Sequence, residues 1–278
     1  MKLSASNIAW RGSDIGGFLT LLAEEGCNGM ELSPSKIWPE PAKITRAEVR
    51  RFARYVAGYG LSLCSMHSLT YARPDLSLFE SRESREALVK YVCRLMQIAE
   101  ICSIPHLVFG SARARTIGNR NKEECFRIMV DTFGRIAQYG SRHGTHVLIE
   151  PLSRQETDCI TNADEAMELV SQVSHPHCAL HIDLKSSFAE KEDLERVWTN
   201  YIQYIRHCHV ANPGLLPPGP DCPFHNIAST AIRKAGYAGY ISLEIAPVDD
   251  PAVLRKALRF VRCCYIRDRR EGENDEHR

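Results

Sequence analysis

Four short apolar segments of the sequence each end on a side chain suited to acid–base or metal chemistry. Glu150 closes HVLIE, Asp183 closes CALHID, His209 lies near the end of IRHCHV, and Glu244 lies near the end of YISLEI. Successive side chains of a β-strand point to opposite faces, so each polar residue is expected on one face and its apolar neighbours on the other. We refer to these four residues as the strand-end set. The alternation predicts that the set lies at one end of one sheet.

The strand-end set requires a counter-charge if its members converge. Buried carboxylates repel one another and lose hydration, so three of them beside one imidazole are unstable without a cation. Carboxylate oxygens with a single nitrogen suit Mn²⁺, Mg²⁺, Co²⁺ or Zn²⁺, and the absence of a thiolate argues against a structural zinc site. We therefore expect the set to bind one divalent metal ion.

Eight β-rich runs alternate with longer amphipathic runs along the chain. The predicted strands are residues 3–9, 29–33, 61–68, 104–110, 145–151, 178–183, 204–210 and 239–245. The predicted helices are residues 13–26, 45–60, 82–102, 121–143, 162–173, 191–203, 226–235 and 250–266. Their ends carry the usual signals, such as the Ser/Asp start and the Gly end of the first helix.

This alternation predicts an α/β fold, a single-domain (βα)8 TIM barrel over residues 1–266. Such barrels usually have about 250 residues, and their active sites lie at the C-terminal ends of the strands, where the strand-end set falls. A doubly wound open sheet is the competing architecture, but the sequence lacks the glycine-rich phosphate loops that often accompany it. Residues 267–278 are charged, lack apolar periodicity and are expected to form a disordered tail.

Charge and composition narrow the class of partner. The 278 residues include 35 basic and 34 acidic side chains, which gives a formal net charge of +1. This balance favours a small-molecule partner over nucleic acid or a membrane surface, and no apolar run approaches the roughly 20 residues of a membrane-spanning helix. The scattered cysteines and the lack of a signal-peptide run predict a reduced, cytoplasmic protein. The sequence leaves open whether it is a homo-oligomer.

The order of the strand endings IEP, HID, CHVANPG and SLEI resembles that of the xylose isomerase-like barrel superfamily. Within it, the closing AIRKAGYAGYISLEI makes the chain similar to the sugar phosphate isomerase/epimerase group that includes the ketose 3-epimerases. The resemblance implies that the strand-end set binds the metal and that Glu150 and Glu244 also form the acid–base pair. It further implies substrate contacts for Glu156, in EPLSRQE, and for His67, at the end of CSMH.

Two departures from that family pattern bear on the substrate. Ser186, in DLKS, stands where the epimerases usually have a substrate-binding histidine and is the substrate contact expected at that position. Leu215 and Leu216 stand where an arginine commonly follows HVANPG. Both changes remove groups that bind a sugar. The resemblance therefore implies a substrate other than the typical ketohexose.

The chemistry of the set indicates a reaction class. A divalent cation on the carbonyl and neighbouring hydroxyl of a ketose eases removal of the proton between them and stabilises the resulting enediolate. The predicted function is a metal-dependent isomerase or epimerase of a ketose or related polyol or sugar, with or without a phosphate. The alternatives are a metal-dependent dehydratase of an inosose or keto-polyol, then an abasic-site endonuclease or a non-catalytic ligand-binding barrel.

Other residues near the same strand ends have less definite roles. His181 and His207 precede Asp183 and His209 by two residues, so they share the inward face of their strands one layer below the strand-end set. They are expected to pack inside the barrel or to orient a ligand. Glu31 is expected to be a paired interior acid, and Trp10 either to form an apolar wall against the substrate or simply to pack in its loop.

Basic residues near the predicted active-site end are the last candidates. Lys185 is left open between an anionic substrate group and solvent. The run GSARART, residues 110–116, supplies two arginines that could contact a phosphate or a carboxylate.

Overall fold

The computed structural model describes residues 1–266, in which eight parallel strands form a closed barrel. Each strand is hydrogen-bonded to the next one in the chain, and the eighth returns to the first. The strands are β1 (Lys2–Ser6), β2 (Gly29–Leu32), β3 (Ser62–Met66), β4 (His106–Phe109), β5 (His146–Ile149), β6 (Cys178–Asp183), β7 (Ile205–Val210) and β8 (Tyr240–Leu243). The predicted (βα)8 fold is confirmed.

Helices connect the strands and cover the barrel. They are α1 (Ile15–Glu24), α2 (Arg46–Ala57), α3 (Arg82–Cys102), α4 (Lys122–Ser141), α5 (Ala163–Val173), α6 (Leu184–Ala189), α7 (Leu194–Tyr201), α8 (Phe224–Lys234) and α9 (Pro251–Val261), and a π-helical turn follows at Arg262–Ile266. Local sequence fixes several of their starts. Asp14 accepts hydrogen bonds from the first backbone amides of α1, and Thr45 forms a capping box with Glu48 at α2.

Two elements of the structure differ from the prediction. Residues 7–9 form a 3-10 turn instead of extending β1, because the Ser6 hydroxyl accepts a hydrogen bond from the amide of Ile8 and turns the chain. Helix α6 was not predicted. It has six residues, too few for a periodic apolar pattern, and Asp183 is both the last residue of β6 and the N-cap of the helix.

The interior of the barrel is apolar only in a thin layer. Val108, Leu148 and Ala179 form a small buried cluster, which separates polar groups at the two ends of the barrel. Outward-facing strand residues such as Val147 and Ile149 belong instead to the large core between strands and helices. This division agrees with the alternation that places Glu150 inside the barrel.

Histidine rings fill the N-terminal end of the barrel. His146 and His177 stack with their ring centroids 4.3 Å apart, and His106 meets His146 edge-on at 5.5 Å. The Nδ1 atom of His177 lies 2.7 Å from the carbonyl oxygen of Thr145. The rings therefore contact one another and the backbone.

The expected disordered tail at 267–278 lies outside the described residues. Within residues 1–266, no helix combines the length and the hydropathy that a membrane span requires.

Candidate metal centre

A cavity of about 420 Å³ opens at the C-terminal ends of the strands. Glu150, Asp183 and Glu244 all line it, each at or just beyond the end of its strand. Active sites of (βα)8 barrels are built at this end, because the loops that follow the strands surround it. The cavity is therefore the candidate functional site.

The structure brings the strand-end set together. One carboxylate oxygen from each of Glu150, Asp183 and Glu244 lies within 4.8 Å of the other two. The Nδ1 atom of His209 is 3.0 Å from Oε2 of Glu244 and 3.4 Å from Oε1 of Glu150. Three carboxylates thus converge on one small volume, and the imidazole of His209 contacts two of them.

His209 is oriented from behind by Glu31. Its Nε2 atom lies 2.9 Å from both carboxylate oxygens of Glu31, which fixes the ring with Nδ1 toward the cavity. That Nδ1 atom is buried against the carboxylate oxygens of Glu244 and Glu150. In neutral His209, with its proton on Nε2 toward Glu31, the Nδ1 lone pair faces these oxygens, so the contact is stabilised either by a proton on Nδ1 or by a cation bound between the groups. The donor set fits a divalent metal ion.

Glu31 is held by groups from three other strands. The hydroxyls of Ser65 and Ser242 donate to it at 2.8 and 2.7 Å, and Nε2 of His207 lies 3.2 Å away. The Glu31 side chain is fully buried. It is therefore a paired interior acid, as the sequence indicates, and it also contacts His209.

The buried carboxylates and histidines of the cluster shift one another's pKa values. Burial raises the pKa of both Glu150 and Asp183. Burial also favours a high pKa for Glu244, but the charge and hydrogen bond of His209, with those of His67, outweigh it and hold that pKa well below its usual range. For His209, the charges of Glu244 and Glu31 outweigh burial and raise the pKa well above its usual value. In the absence of a metal ion, the carboxylates therefore bind positive charge in the form of protons on histidine.

Gly110 makes room for the Glu150 carboxylate. A Cβ atom added at Gly110 would lie 1.5 Å from Oε2 of Glu150, much closer than any real contact. Sequence reasoning missed this residue, although a glycine immediately after a strand that borders β5 was a usable signal. Only glycine at this position allows the observed placement of Glu150.

Polar side chains on the α6 side of the cavity are linked to one another. Nζ of the nearly buried Lys185 lies 2.8 Å from both carboxylate oxygens of Glu156 and 3.1 Å from Oδ2 of Asp183. Glu156 and Lys185 line the cavity. Ser186 lies outside that lining, and its hydroxyl donates to Oδ2 of Asp183 at 3.0 Å. Ser186 therefore contacts Asp183, and its expected substrate contact stays a prediction.

His67 and Trp10 occupy different environments. His67 lines the cavity, with Nδ1 3.0 Å from Oε1 of Glu244 and Nε2 2.5 Å from the hydroxyl of Ser6. Trp10 lies outside the cavity lining, and its indole nitrogen donates to the carbonyl oxygen of Asp14. This hydrogen bond holds the ring near α1, and a substrate contact from Trp10 stays a prediction. Leu215 does line the cavity.

Two interior residues support Glu150. The buried guanidinium of Arg115 donates from Nη1 to the carbonyl oxygen of Glu150 at 2.7 Å, so this arginine lies behind the cavity. Nε2 of the buried His181 lies 3.4 Å from Oε1 of Glu150, and neither of its ring nitrogens makes a hydrogen bond within residues 1–266. His181 thus faces the carboxylate cluster from below.

Comparisons with known proteins give this geometry a context. A family model described as Xylose isomerase-like TIM barrel matches residues 19–264. Fructoselysine 3-epimerase of Shigella flexneri is 20% identical over 151 residues, which are 51% of this chain and 54% of that protein. A putative hydroxypyruvate isomerase of Streptomyces coelicolor is 28% identical over 134 residues, 45% of this chain and 48% of that protein. The chain spans about half the length of the curated relatives it matches.

Solved structures resemble the whole barrel. D-psicose 3-epimerase, crystallised in the presence of D-fructose, superposes with a TM-score of 0.82 at 18% identity, over 95% of this chain and 99% of that chain. L-ribulose 3-epimerase superposes with a TM-score of 0.83 at 14% identity, over 100% of this chain and 98% of that chain. At such identity the likeness shows the fold. These relatives and neighbours are isomerases and epimerases.

Proposed function

This chain belongs to the xylose isomerase-like TIM barrel family, and we propose that it is a divalent-metal-dependent isomerase or epimerase of a ketose or a related sugar or polyol. The observation that carries the proposal is the convergence of the three carboxylates of the strand-end set within 4.8 Å, with His209 against two of them. The reaction class of the isomerase and epimerase relatives supports it.

Glu150, Asp183, His209 and Glu244 would hold the metal ion. The buried Nδ1 atom of His209, which lies 3.0 Å from Oε2 of Glu244 and 3.4 Å from Oε1 of Glu150, supports this assignment. When bound, a divalent ion supplies Lewis acidity, which polarises a substrate carbonyl and its neighbouring hydroxyl and lowers the cost of removing the proton between them. Mn²⁺, Mg²⁺, Co²⁺ and Zn²⁺ all suit this oxygen-rich set with one nitrogen.

Glu150 and Glu244 would move the substrate proton. They reach the cavity from the ends of β5 and β8, which are not neighbouring strands, so they approach a bound molecule from different sides. One carboxylate removes the proton next to the carbonyl and the other supplies one. Return to the opposite face of the same carbon gives an epimer, and return to the adjacent carbon gives an isomer. General acid–base catalysis of this kind contributes about 10²–10⁴ in rate.

Other residues would position these groups and the substrate. His67 holds Oε1 of Glu244, which leaves Oε2 directed at His209. Arg115 holds the backbone at Glu150. Glu156 lines the cavity with its carboxylate partly exposed, so it is available to accept a hydrogen bond from a substrate hydroxyl.

Deuterium exchange at the carbon next to the carbonyl tests the proposal. The metal-loaded protein is incubated in D₂O with ketoses, inososes and keto acids, and the α-proton signal is followed by NMR. We expect at least one compound to exchange, and we expect Glu244→Gln to slow that exchange by about 10² or more, because an acid–base group is lost.

The matched control is Glu195→Gln, which changes an exposed carboxylate on α7 that pairs with Lys234 at 3.0 Å. Its exchange rate should equal that of the wild type. A Glu244→Gln protein that keeps its metal and exchanges at nearly the wild-type rate would disprove the acid–base assignment. Loss of water from the substrate, seen as a new unsaturated carbonyl signal, would favour the dehydratase alternative.

A further inference from the structure

The cavity has two halves of opposite charge. The half next to β5, β6 and β8 carries the carboxylates of the strand-end set together with Glu156 and Lys185. The other half consists of lining residues from two loops, 68–76 after β3 and 110–114 after β4, which are joined by a hydrogen bond from the amide of Leu78 to the carbonyl of Ala114 at 2.8 Å. We call it the arginine half. Among the described lining residues of this half, the charged ones are Arg73 and Arg113.

Arg73 is held in a fixed position. Its Nε and Nη2 atoms donate to the two carboxylate oxygens of Asp75 at 2.8 and 2.6 Å, and its guanidinium carbon lies 5.0 Å from the ring centroid of the buried Tyr91. Nη1 makes no hydrogen bond to the described part of the chain. A guanidinium fixed on one side by a carboxylate and an aromatic ring keeps its remaining donors ready for a ligand, because little side-chain entropy is lost on binding.

Arg113 is the second cation of the arginine half. It is exposed and lines the cavity, and within residues 1–266 it forms no ion pair. Hydroxyl groups line the same half, from Ser68, Thr70, Tyr71 and Ser111. Asp75 offsets one of the two arginine charges, so the half keeps one net positive charge. Guanidinium and hydroxyl donors grouped in this way match the oxygens of a phosphate or a carboxylate.

We propose that the substrate carries an anionic group, a phosphate or a carboxylate, at the end remote from the reacting carbon, and that Arg73 and Arg113 bind it. This inference rests on the proposed function, which places the reacting carbon at the carboxylate half of the cavity. A neutral sugar would leave the exposed guanidinium of Arg113 and the Nη1 donor of Arg73 without a matching anion. The volume of about 420 Å³ is in the range of small-molecule sites and accommodates a substrate with groups in both halves.

Binding of three unreactive polyols tests the proposal without requiring turnover. Glucitol is neutral, glucitol 6-phosphate carries a terminal phosphate, and gluconate carries a terminal carboxylate. Their dissociation constants are measured by calorimetry on the metal-loaded wild type and on the double variant Arg73→Gln/Arg113→Gln. We expect one of the two anions to bind the wild type at least about tenfold more tightly than glucitol, because a hydrogen bond to a charged group contributes about that factor in affinity. The double variant should lose this preference.

The control variant is Arg120→Gln, an arginine outside the cavity lining that pairs with Glu80 at 2.9 Å. It should keep the anion preference. Which anion is preferred distinguishes a phosphate substrate from a carboxylate substrate. Equal affinity for all three polyols would overturn the proposal, and so would an anion preference that survives in the double variant, since the anion would then bind elsewhere, such as on the metal.

The deuterium-exchange assay separates this result from a failure of the proposed function. An arginine-dependent anion preference without exchange on any carbonyl compound would retain the anion subsite and reject the isomerase. Exchange on a neutral ketose with equal polyol affinities would retain the isomerase and reject the subsite.

Discussion

The two ends of the barrel interior both contain histidines, but the histidines differ in what surrounds them. At the C-terminal end, the charges of Glu244 and Glu31 raise the pKa of His209 well above its usual value. At the N-terminal end, burial and neighbouring cations lower the pKa of His106 to about 3, and burial with the adjacent His177 lowers that of His146. His209, held between carboxylates, therefore favours the charged state, whereas burial favours the neutral state of His106 and His146 and also lowers the pKa of His181 and His207 below the strand-end set.

This difference shows that carboxylates, and not histidines, define the candidate site. Every cluster of potential metal ligands within residues 1–266 includes a glutamate and lies toward the C-terminal end. The stacked rings of the N-terminal end contact backbone carbonyls and one another. We interpret the first end as a site for a cation and the second as packing.

Gly110→Ala should have the largest effect on activity. The change acts only at the C-terminal end of the barrel, where the strand-end set lies. A Cβ atom 1.5 Å from Oε2 of Glu150 displaces that carboxylate. A shift of about 1 Å in a catalytic group costs about 10² in rate, so we expect kcat/KM for the exchanging substrate to fall by at least about that factor. Gly134→Ala is the matched control, because a Cβ there meets no atom within 4 Å. Equal activity in both variants would show that the position of Glu150 is unimportant.

Glu31→Gln should have a smaller but clear effect on metal affinity. A glutamine amide has one acceptor oxygen where the Glu31 carboxylate has two. It therefore cannot accept the imidazole proton and both serine hydroxyls, and His209 loses its fixed orientation. Loss of such a supporting group typically weakens metal binding about 10–100-fold. Titration of the metal-free protein with Mn²⁺ measures the change.

A matched buried carboxylate controls for loss of stability. Glu25 is nearly buried and binds Arg255 and Arg259 on the outside of the barrel, far from His209 in the fold. Glu25→Gln should lower the melting temperature and leave the Mn²⁺ affinity unchanged. If Glu31→Gln also leaves that affinity unchanged, Glu31 does not orient the metal ligand.

His106→Phe should have the smallest effect and should change only stability against acid. An unfolded imidazole binds a proton below about pH 6.5, whereas folded His106 resists protonation down to about pH 3. The folded state therefore loses stability as the pH falls through this interval, by about 2 kcal/mol at pH 5. The phenylalanine variant should lose less melting temperature than the wild type between pH 8 and pH 5, with unchanged activity at pH 8. Identical pH dependence of melting in the wild type and the variant would contradict the neutral, packed state assigned to His106.

Much of the fold could be predicted from the sequence, because the physics involved is local. Alternation within single strands places Glu150 and Asp183 inside the barrel, and caps such as Asp14 mark helix starts. Helix α6 was missed because its only start signal, Asp183, is also the end of a strand. The roles of the strand-end set remain predictions, although the structure brings its side chains together.

Contacts between distant strands could not be predicted in the same way. Glu31 meets His209 across 178 positions of the chain, and His67 meets Glu244 from another strand. Which interior side chains touch depends on barrel closure and on the stagger between strands, which no local pattern reports. The position of Trp10 after β1 likewise did not indicate its hydrogen bond to the carbonyl oxygen of Asp14, which holds the ring near α1.

The metal content of the purified protein tests the central claim most directly. The wild type and a Glu150→Gln/Asp183→Asn variant are incubated with excess Mn²⁺, freed of unbound ion by gel filtration and measured by inductively coupled plasma mass spectrometry. The strand-end set predicts about one divalent ion per wild-type chain, as expected for a single four-ligand site, and its loss in the variant. No bound ion in the wild type, or equal amounts in both proteins, would contradict a metal centre at the C-terminal end of the barrel.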